Sequence, residues 1–185
     1  MHEAAARSAP SFPPTAWMNV LAPATRIAFY GDRAARAAAE SVFPISPADA
    51  VCRAHVDGAR ASLWLGPDEY LLIAPTEPGA AALIAQLTAA IGALPHALVD
   101  VSHRQVAFEI HGPQAARILN GACPLDLEES RFPVGACTRT VFAKAEIVLW
   151  RTHAEAFRVE AWRSFARYVA ELLAEIAQDY GDHPP

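Results

Sequence analysis

A chain of 185 residues suffices for one domain or two small ones, and with 53% hydrophobic residues it can build a core. Its charged fraction of 19% lies below the ~25% usual in soluble domains; alanine inflates the apolar count, yet some surface is still expected to be buried against partners. The net charge of -5 without a basic stripe excludes ordinary nucleic-acid binding, no apolar run nears the ~20 residues of a membrane span, and the charged, proline-broken N-terminus has no signal core, so the reading is a cytosolic protein.

Residues 1–23 are rich in Ala, Ser and Pro and read as a poorly ordered arm. Phe12, Trp17 and Met18 interrupt it. They either fold back onto the core or anchor a partner, and the general mobility of termini favours the first. Thr25 to Tyr30 reads as a strand with Ile27 and Phe29 on one face. Asp32 is a good cap for a helix from Arg33 to about Val42, which Pro44 and Pro47 end. Strands are expected at Val51–Val56, Ala61–Leu65 and Tyr70–Ala74, the last two joined by a turn through Gly66-Pro67-Asp68-Glu69. A helix from about Gly79 to Ile91 follows, with Leu83, Ile84, Leu87 and Ile91 on one face.

The stretch from Leu98 to Leu127 reads as extended segment, turn, strand, tight turn, helix and stop. Val106, Phe108 and Ile110 alternate with Gln105, Ala107 and Glu109, a strand period. Gly112 permits a sharp turn, and Pro113 suits the first turn of a short helix carrying Ala115, Ala116, Ile118 and Leu119. Asn120-Gly121 is expected to stop that helix in a left-handed backbone. A hairpin runs from Ala145–Trp150 to Phe157–Ala161. Ser164 can cap the last helix, whose expected buried face is Phe165, Tyr168, Val169, Leu172, Leu173 and Ile176. Arg167 and Glu171, four apart, can pair on its surface.

The halves resemble each other. F-Y-G-D-R-A-A-R at 29–36 matches I-H-G-P-Q-A-A-R at 110–117, an offset of 81 (110 minus 29). F-P-I-S at 43–46 matches C-P-L-D at 123–126, an offset of 80 (123 minus 43). Trp64 and Trp150 each precede a hairpin, and a helix closes each half. The order of these matches indicates an internal repeat. The expected fold class is α+β: two similar two-layer α/β sandwich units over 24–95 and 96–180, each an antiparallel sheet with helices on one face.

No catalytic constellation is visible. Ser102 and His103 are adjacent on an extended segment and point to opposite faces, so they cannot form a nucleophile–base pair there; Ser102 is expected to bond local backbone. His103, His111, Cys123 and Cys137 show no metal-ligand spacing. Cys52, Cys123 and Cys137 fit reduced thiols, and Asp126, Glu128 and Glu129 fit a solvated loop. No G-x-G-x-x-G or P-loop is present. These observations suggest a binding or assembly module.

Five strings, L-W-L-G-P-D-E-Y-L-L (63–72), V-D-V-S-H-R (99–104), C-P-L-D-L (123–127), F-P-V-G-A-C (132–137) and R-S-F-A-R-Y (163–168), together resemble the gamma subunit of heterotetrameric sarcosine oxidase, in that family's order. The resemblance implies a chain related to the folate-binding fold of the glycine-cleavage aminomethyltransferase. It implies partners called alpha, beta and delta, chiefly alpha, and no catalytic role, cofactor or metal of its own. FAD, FMN, NAD, tetrahydrofolate and zinc would belong to the partner subunits. The implied complex oxidises sarcosine to glycine and passes the methyl carbon to tetrahydrofolate. Two alternatives stand beside this: an independent folate-binding one-carbon-transfer protein, and a subunit of a related N-methyl amino acid dehydrogenase. Candidate partner contacts are Trp17, His103 and Arg104, because interface cores favour aromatics and Arg. The opposing reading is that the turn pair caps local structure and Trp17 covers the core.

Overall fold

The computed structural model describes residues 15–45, 47 and 49–180. The first fourteen residues, Phe12 among them, Ser46 of the F-P-I-S string, and the closing Gly181 to Pro185 lie outside the described residues. In chain order the elements are β1 (Met18–Val20), β2 (Thr25–Gly31), α1 (Arg33–Ala39), β3 (Ala54–Asp57), β4 (Arg60–Gly66), β5 (Glu69–Ala74) and α2 (Ala80–Ile91). There follow β6 (His96–Asp100), β7 (Gln105–His111), α3 (Ala115–Asn120), β8 (Cys137–Phe142), β9 (Ala145–His153), β10 (Ala156–Trp162) and α4 (Ala166–Gln178). Local chemistry sets several boundaries. Asp32 accepts from the N–H groups of Ala34 and Ala35 at 2.9 Å and so starts α1. Gly112, at φ 102, makes the turn out of β7.

The strands form two five-stranded antiparallel sheets, ordered β3-β4-β5-β2-β6 and β1-β7-β10-β9-β8. Ile27, Phe29, Tyr70 and Leu72 of the first sheet pack under Leu83, Leu87 and Ile91 of α2 and the alanines of α1. Phe108, Ile110, Phe157 and Val159 of the second sheet pack under α3 and α4. The opposite faces meet each other through Ala28, Leu63, Leu71, Ile73, Cys137 and Val148. The two expected two-layer units therefore stack sheet to sheet, giving helices, sheet, sheet, helices. A fully buried ion pair crosses the middle: Arg26 Nε of β2 donates to Glu160 Oε2 of β10 at 2.7 Å, with both side chains at most 2% exposed. At the rim Arg139 of β8 bonds Glu69 of β5 through two nitrogens at 3.1 and 2.5 Å.

Chain order and sheet membership part company at two places. β1, read as part of the arm, pairs with β7 in the second sheet. β6, at the start of the second half, pairs with β2 in the first. Each half thus sends its leading strand to the other half's sheet. Alternation along a strand tells which face is buried but not which neighbour supplies the hydrogen bonds.

The repeat is real in topology, and the pairing corrects one expected match. Ile27 pairs with Leu72, which pairs with Ser62; the repeat-equivalent Phe108 pairs with Val159, which pairs with Leu149. Counting two residues on from Ser62 and Leu149 makes Trp64 equivalent to Arg151, and hence Leu63 to Trp150. The two tryptophans differ by one residue in register and so face opposite ways. Trp64 packs on the helix side and Trp150 between the sheets.

Three further expectations change. The buried face of α4 is Ala166, Val169, Ala170, Leu173 and Ala177, whereas Phe165 and Tyr168 stay 39% and 37% exposed; small alanines let the helix lie close on the sheet and rotate the large side chains outward. Ser164 makes no cap, since Phe165 occupies the N-cap position without a side-chain bond. Gly121 is right-handed at φ -60. Its requirement is space, because a Cβ there would come within 2.6 Å of Ile176 Cγ2 on α4.

Candidate functional site

The V-D-V-S-H-R turn links β6 to β7 at the place where the leading strands cross between sheets. Val101 is buried, and its N–H donates to the Arg26 carbonyl at 2.9 Å. Ser102 Oγ accepts from the Arg26 N–H at 2.9 Å and donates to Asp100 Oδ1 at 2.6 Å. Asp100 also accepts from the Ser102 N–H at 2.9 Å. Ser102 is thereby a backbone cap for β2, and its hydroxyl is engaged away from His103. The hydroxyl lacks the imidazole contact that a Ser–His nucleophile needs.

His103 and Arg104 are exposed at the tip of the turn. The Arg104 guanidinium lies 5.4 Å from the ring centre of Trp162, at the end of β10, a cation–π distance. The same corner is held by the Arg163 N–H donating to the Arg104 carbonyl at 2.8 Å and by Arg163 Nε donating to the His103 carbonyl at 3.0 Å. Trp162 is 40% exposed there, whereas Phe165 and Tyr168, 39% and 37% exposed, belong to the α4 side of the sheet. Trp162 shares the strand parity of Glu160 and lies with Arg104 at the inter-sheet rim, so the exposed feature of this corner is the Arg104–Trp162 pair. Trp17 is not part of it. Its carbonyl accepts from the His111 N–H at 2.8 Å, at the far end of β7 from Gln105, about 20 Å away at strand rise. Its ring packs against the second core, which is the core-covering reading. Sequence periodicity missed Phe165 and Tyr168 as surface because it assigned them to the buried stripe. The signal that could have found them is the alanine series at 166, 170 and 177.

Beside the turn, a cleft of about 420 Å³ opens between the 21–26 loop and the start of β7, with Leu21, Pro23, Ser102, Gln105 and Arg163 among its walls. Its volume lies within the range of small-ligand and peptide pockets.

Elsewhere the chemistry is quiet. Burial pushes the Cys137 thiol up to about 12 and raises that of Cys123, so neither supplies a thiolate near neutral pH. Among the described residues no group of three His, Cys, Asp or Glu side chains could hold a metal ion, and no helix is long and apolar enough to cross a membrane. Asp126 accepts from the Glu128 N–H at 3.0 Å in an exposed loop. Arg151 is buried but bonds only carbonyl oxygens, those of Leu127, Phe132, His153 and Ala154. It therefore organises loops.

Comparison with known proteins agrees with this architecture. Residues 31–179 match the model of the sarcosine oxidase, gamma subunit family. The chain is 35% identical over 124 residues to sarcosine oxidase subunit gamma of Corynebacterium sp. (strain P-1), covering 67% of this chain and 60% of that protein. It is 34% identical over 120 residues to the subunit of Corynebacterium sp. (strain U-96), covering 65% and 57%. The match thus spans about 60% of the length of these curated relatives. Among solved structures, a chain of heterotetrameric sarcosine oxidase from Corynebacterium sp. U-96, in complex with pyrrole 2-carboxylate, matches with TM-score 0.80 and 30% identity over 88% of this chain and 84% of that one. The glycine cleavage system aminomethyltransferase T from Bartonella henselae matches with TM-score 0.62 and 16% identity over 84% of this chain and 44% of that one, a likeness of fold. With the family model spanning most of the chain and the same fold in a solved relative, this chain belongs to the sarcosine oxidase gamma subunit family.

Proposed function

We infer that this chain is the gamma subunit of a heterotetrameric sarcosine oxidase and serves there as a non-catalytic assembly subunit. The observation that carries the reading is the match at TM-score 0.80 to a chain of the heterotetrameric enzyme, over 88% of this chain. The site chemistry supports it, because Ser102 is engaged by Asp100 and Arg26 and the buried thiols are neutral. In this reading the alpha, beta and delta subunits are the partners, alpha chiefly, and the complex is cytoplasmic. Flavins, NAD, zinc and folate sit on those partners, and the complex demethylates sarcosine to glycine with transfer of the methyl carbon to tetrahydrofolate.

His103, Arg104 and Trp162 are the contact face. Desolvated aromatic and Arg side chains at an interface centre carry disproportionate binding energy. The test is the double change Arg104→Ala and Trp162→Ala, with assembly into the complex and thermal stability of the free chain measured separately. Assembly weakens by about 2 kcal/mol or more with the melting temperature nearly unchanged. Wild-type assembly by this variant contradicts the assignment of the face. Trp17→Ala is the contrast: its half-buried ring makes it lower stability first.

A further inference from the structure

The repeat provides an internal control for hydrogen bonding at the strand crossing. In the first sheet, β6 runs past its last pair, and the Val101 N–H donates to the Arg26 carbonyl at 2.9 Å. The next residue, Ser102, turns its hydroxyl back to accept the Arg26 N–H at 2.9 Å. In the second sheet, β1 runs past its last pair in the same way, and the Leu21 N–H donates to the Ala107 carbonyl at 2.9 Å. The next residue there is Ala22, which has no side-chain oxygen to offer. Arg26 corresponds to Ala107 by the offset of 81 (107 minus 26), and Ser102 to Ala22 by 80 (102 minus 22).

Among the described residues the Ala107 N–H is therefore left open. Even-numbered residues of β7 bond toward β10, as the Gly112 and Arg104 contacts at the two ends of that pairing show. Odd-numbered ones bond toward β1, as the His111 and Ala107 contacts show. The backbone N–H and C=O of Gln105 face the same side, where the chain leaves at Pro23, a residue without an N–H. The Gln105 side chain adds a fourth open group: its Oε1 has no hydrogen-bond partner among the described residues although the residue is only 5% exposed. Gln105 and Ala107 both line the 420 Å³ cleft. Buried backbone and amide groups without partners are uncommon and cost about 1–3 kcal/mol each. Alternating donors and acceptors along a strand edge match the backbone of another extended chain.

We propose that this cleft is a docking slot for a short, extended, apolar polypeptide segment of another oxidase subunit, which continues the line of β1 and pairs with the backbone of Gln105 and Ala107. The apolar character follows from the walls, Leu21, Ala22, Pro23 and Val106. The slot is distinct from the Arg104–Trp162 pair: His103 and Arg163 border both, but Arg104 turns toward Trp162. The inference rests on the assembly reading above.

The test uses the full chain, free and co-expressed with the other subunits. Ala22 is exposed, so Ala22→Ser and Ala22→Phe leave the core untouched. Ala22→Ser supplies the missing acceptor and raises the melting temperature of the free chain by about 2–4 °C, the shift of one hydrogen bond in a domain of this size. Ala22→Phe fills the slot. Both weaken assembly at least about tenfold, and residue-resolved hydrogen exchange of the Ala107 amide slows at least about tenfold when the wild-type complex forms. Variants that assemble like wild type overturn the slot alone, as does an Ala107 amide that exchanges equally in both states or is already slow in the free chain. A wild-type chain that never assembles with the other subunits overturns both the slot and the functional reading.

Discussion

Replacing Glu160 by Leu tests how the two sheets are joined. Glu160 is 1% exposed and accepts Arg26 Nε at 2.7 Å, with Arg26 2% exposed. Its second oxygen accepts Arg158 Nε at 2.8 Å. Unit charges ~4 Å apart attract by about 4 kcal/mol at an effective dielectric of ~20. Removing the carboxylate forfeits that attraction and leaves the Arg26 guanidinium buried with, among the described residues, the Ala24 backbone carbonyl at 3.1 Å as its remaining acceptor. A broken buried pair costs about 3–5 kcal/mol, which at about 2–4 °C per kcal/mol lowers the melting temperature by roughly 6–20 °C. The double change Glu160→Leu with Arg26→Met removes both desolvation penalties of the pair and recovers most of that loss, the remainder being the bond that Arg158 forfeits. Urea unfolding of the wild type, both single variants and the double variant gives the coupling directly. A double variant as unstable as the sum of its singles, or a Glu160→Leu cost below about 1 kcal/mol, refutes the claim that this pair is coupled across the sheets.

Leu87→Ala removes a fully buried side chain of α2 and costs about 2–5 kcal/mol in denaturant unfolding with an unchanged slope. Burial raises the carboxyl of Glu69, but bonds from Arg139 and Tyr30 outweigh it and hold the group below its usual 4.5. Its contribution is therefore present above pH 4.5 and lost as pH falls through the lowered folded value. Glu69→Gln flattens the acid limb of the stability profile by less than about 1 kcal/mol, because solvent reaches Arg139 and screens the pair. A disulfide-exchange thiol reagent at neutral pH titrates the half-exposed Cys52 first, while Cys137, pushed up to about 12 by burial, and buried Cys123 react only as the chain unfolds.

Strands and helices were largely legible in the sequence because each buries one face. The alternation of Val106, Phe108 and Ile110 and the 3.6-residue spacing of Leu83, Leu87 and Ile91 place them correctly in the core. Asp32 was legible as a cap because its chemistry is local. What could not be read was non-local. Nothing in Met18–Val20 or His96–Asp100 says that each crosses to the other half's sheet, since the partner's backbone carries no side-chain code. The one-residue mismatch of Trp64 and Trp150 came from matching residue type without register. Gly121 looked like a left-handed stop, but its constraint is Ile176 on a helix more than fifty residues away. At the candidate site, the local role of Ser102 was readable. The cation–π contact of Arg104 with Trp162 was not, because those residues meet only through the pairing of β7 with β10.

Reconstitution decides the central claim. The chain is co-expressed with the alpha, beta and delta subunits, the complex is isolated by an affinity tag on alpha, and sarcosine oxidation is measured with wild-type chain and with His103→Ala. The account predicts stoichiometric recovery of this chain with the flavin-bearing subunits. It also predicts unchanged turnover per assembled complex for the variant, and no sarcosine oxidation by this chain alone. A chain that elutes free of the complex, or that oxidises sarcosine by itself, contradicts it.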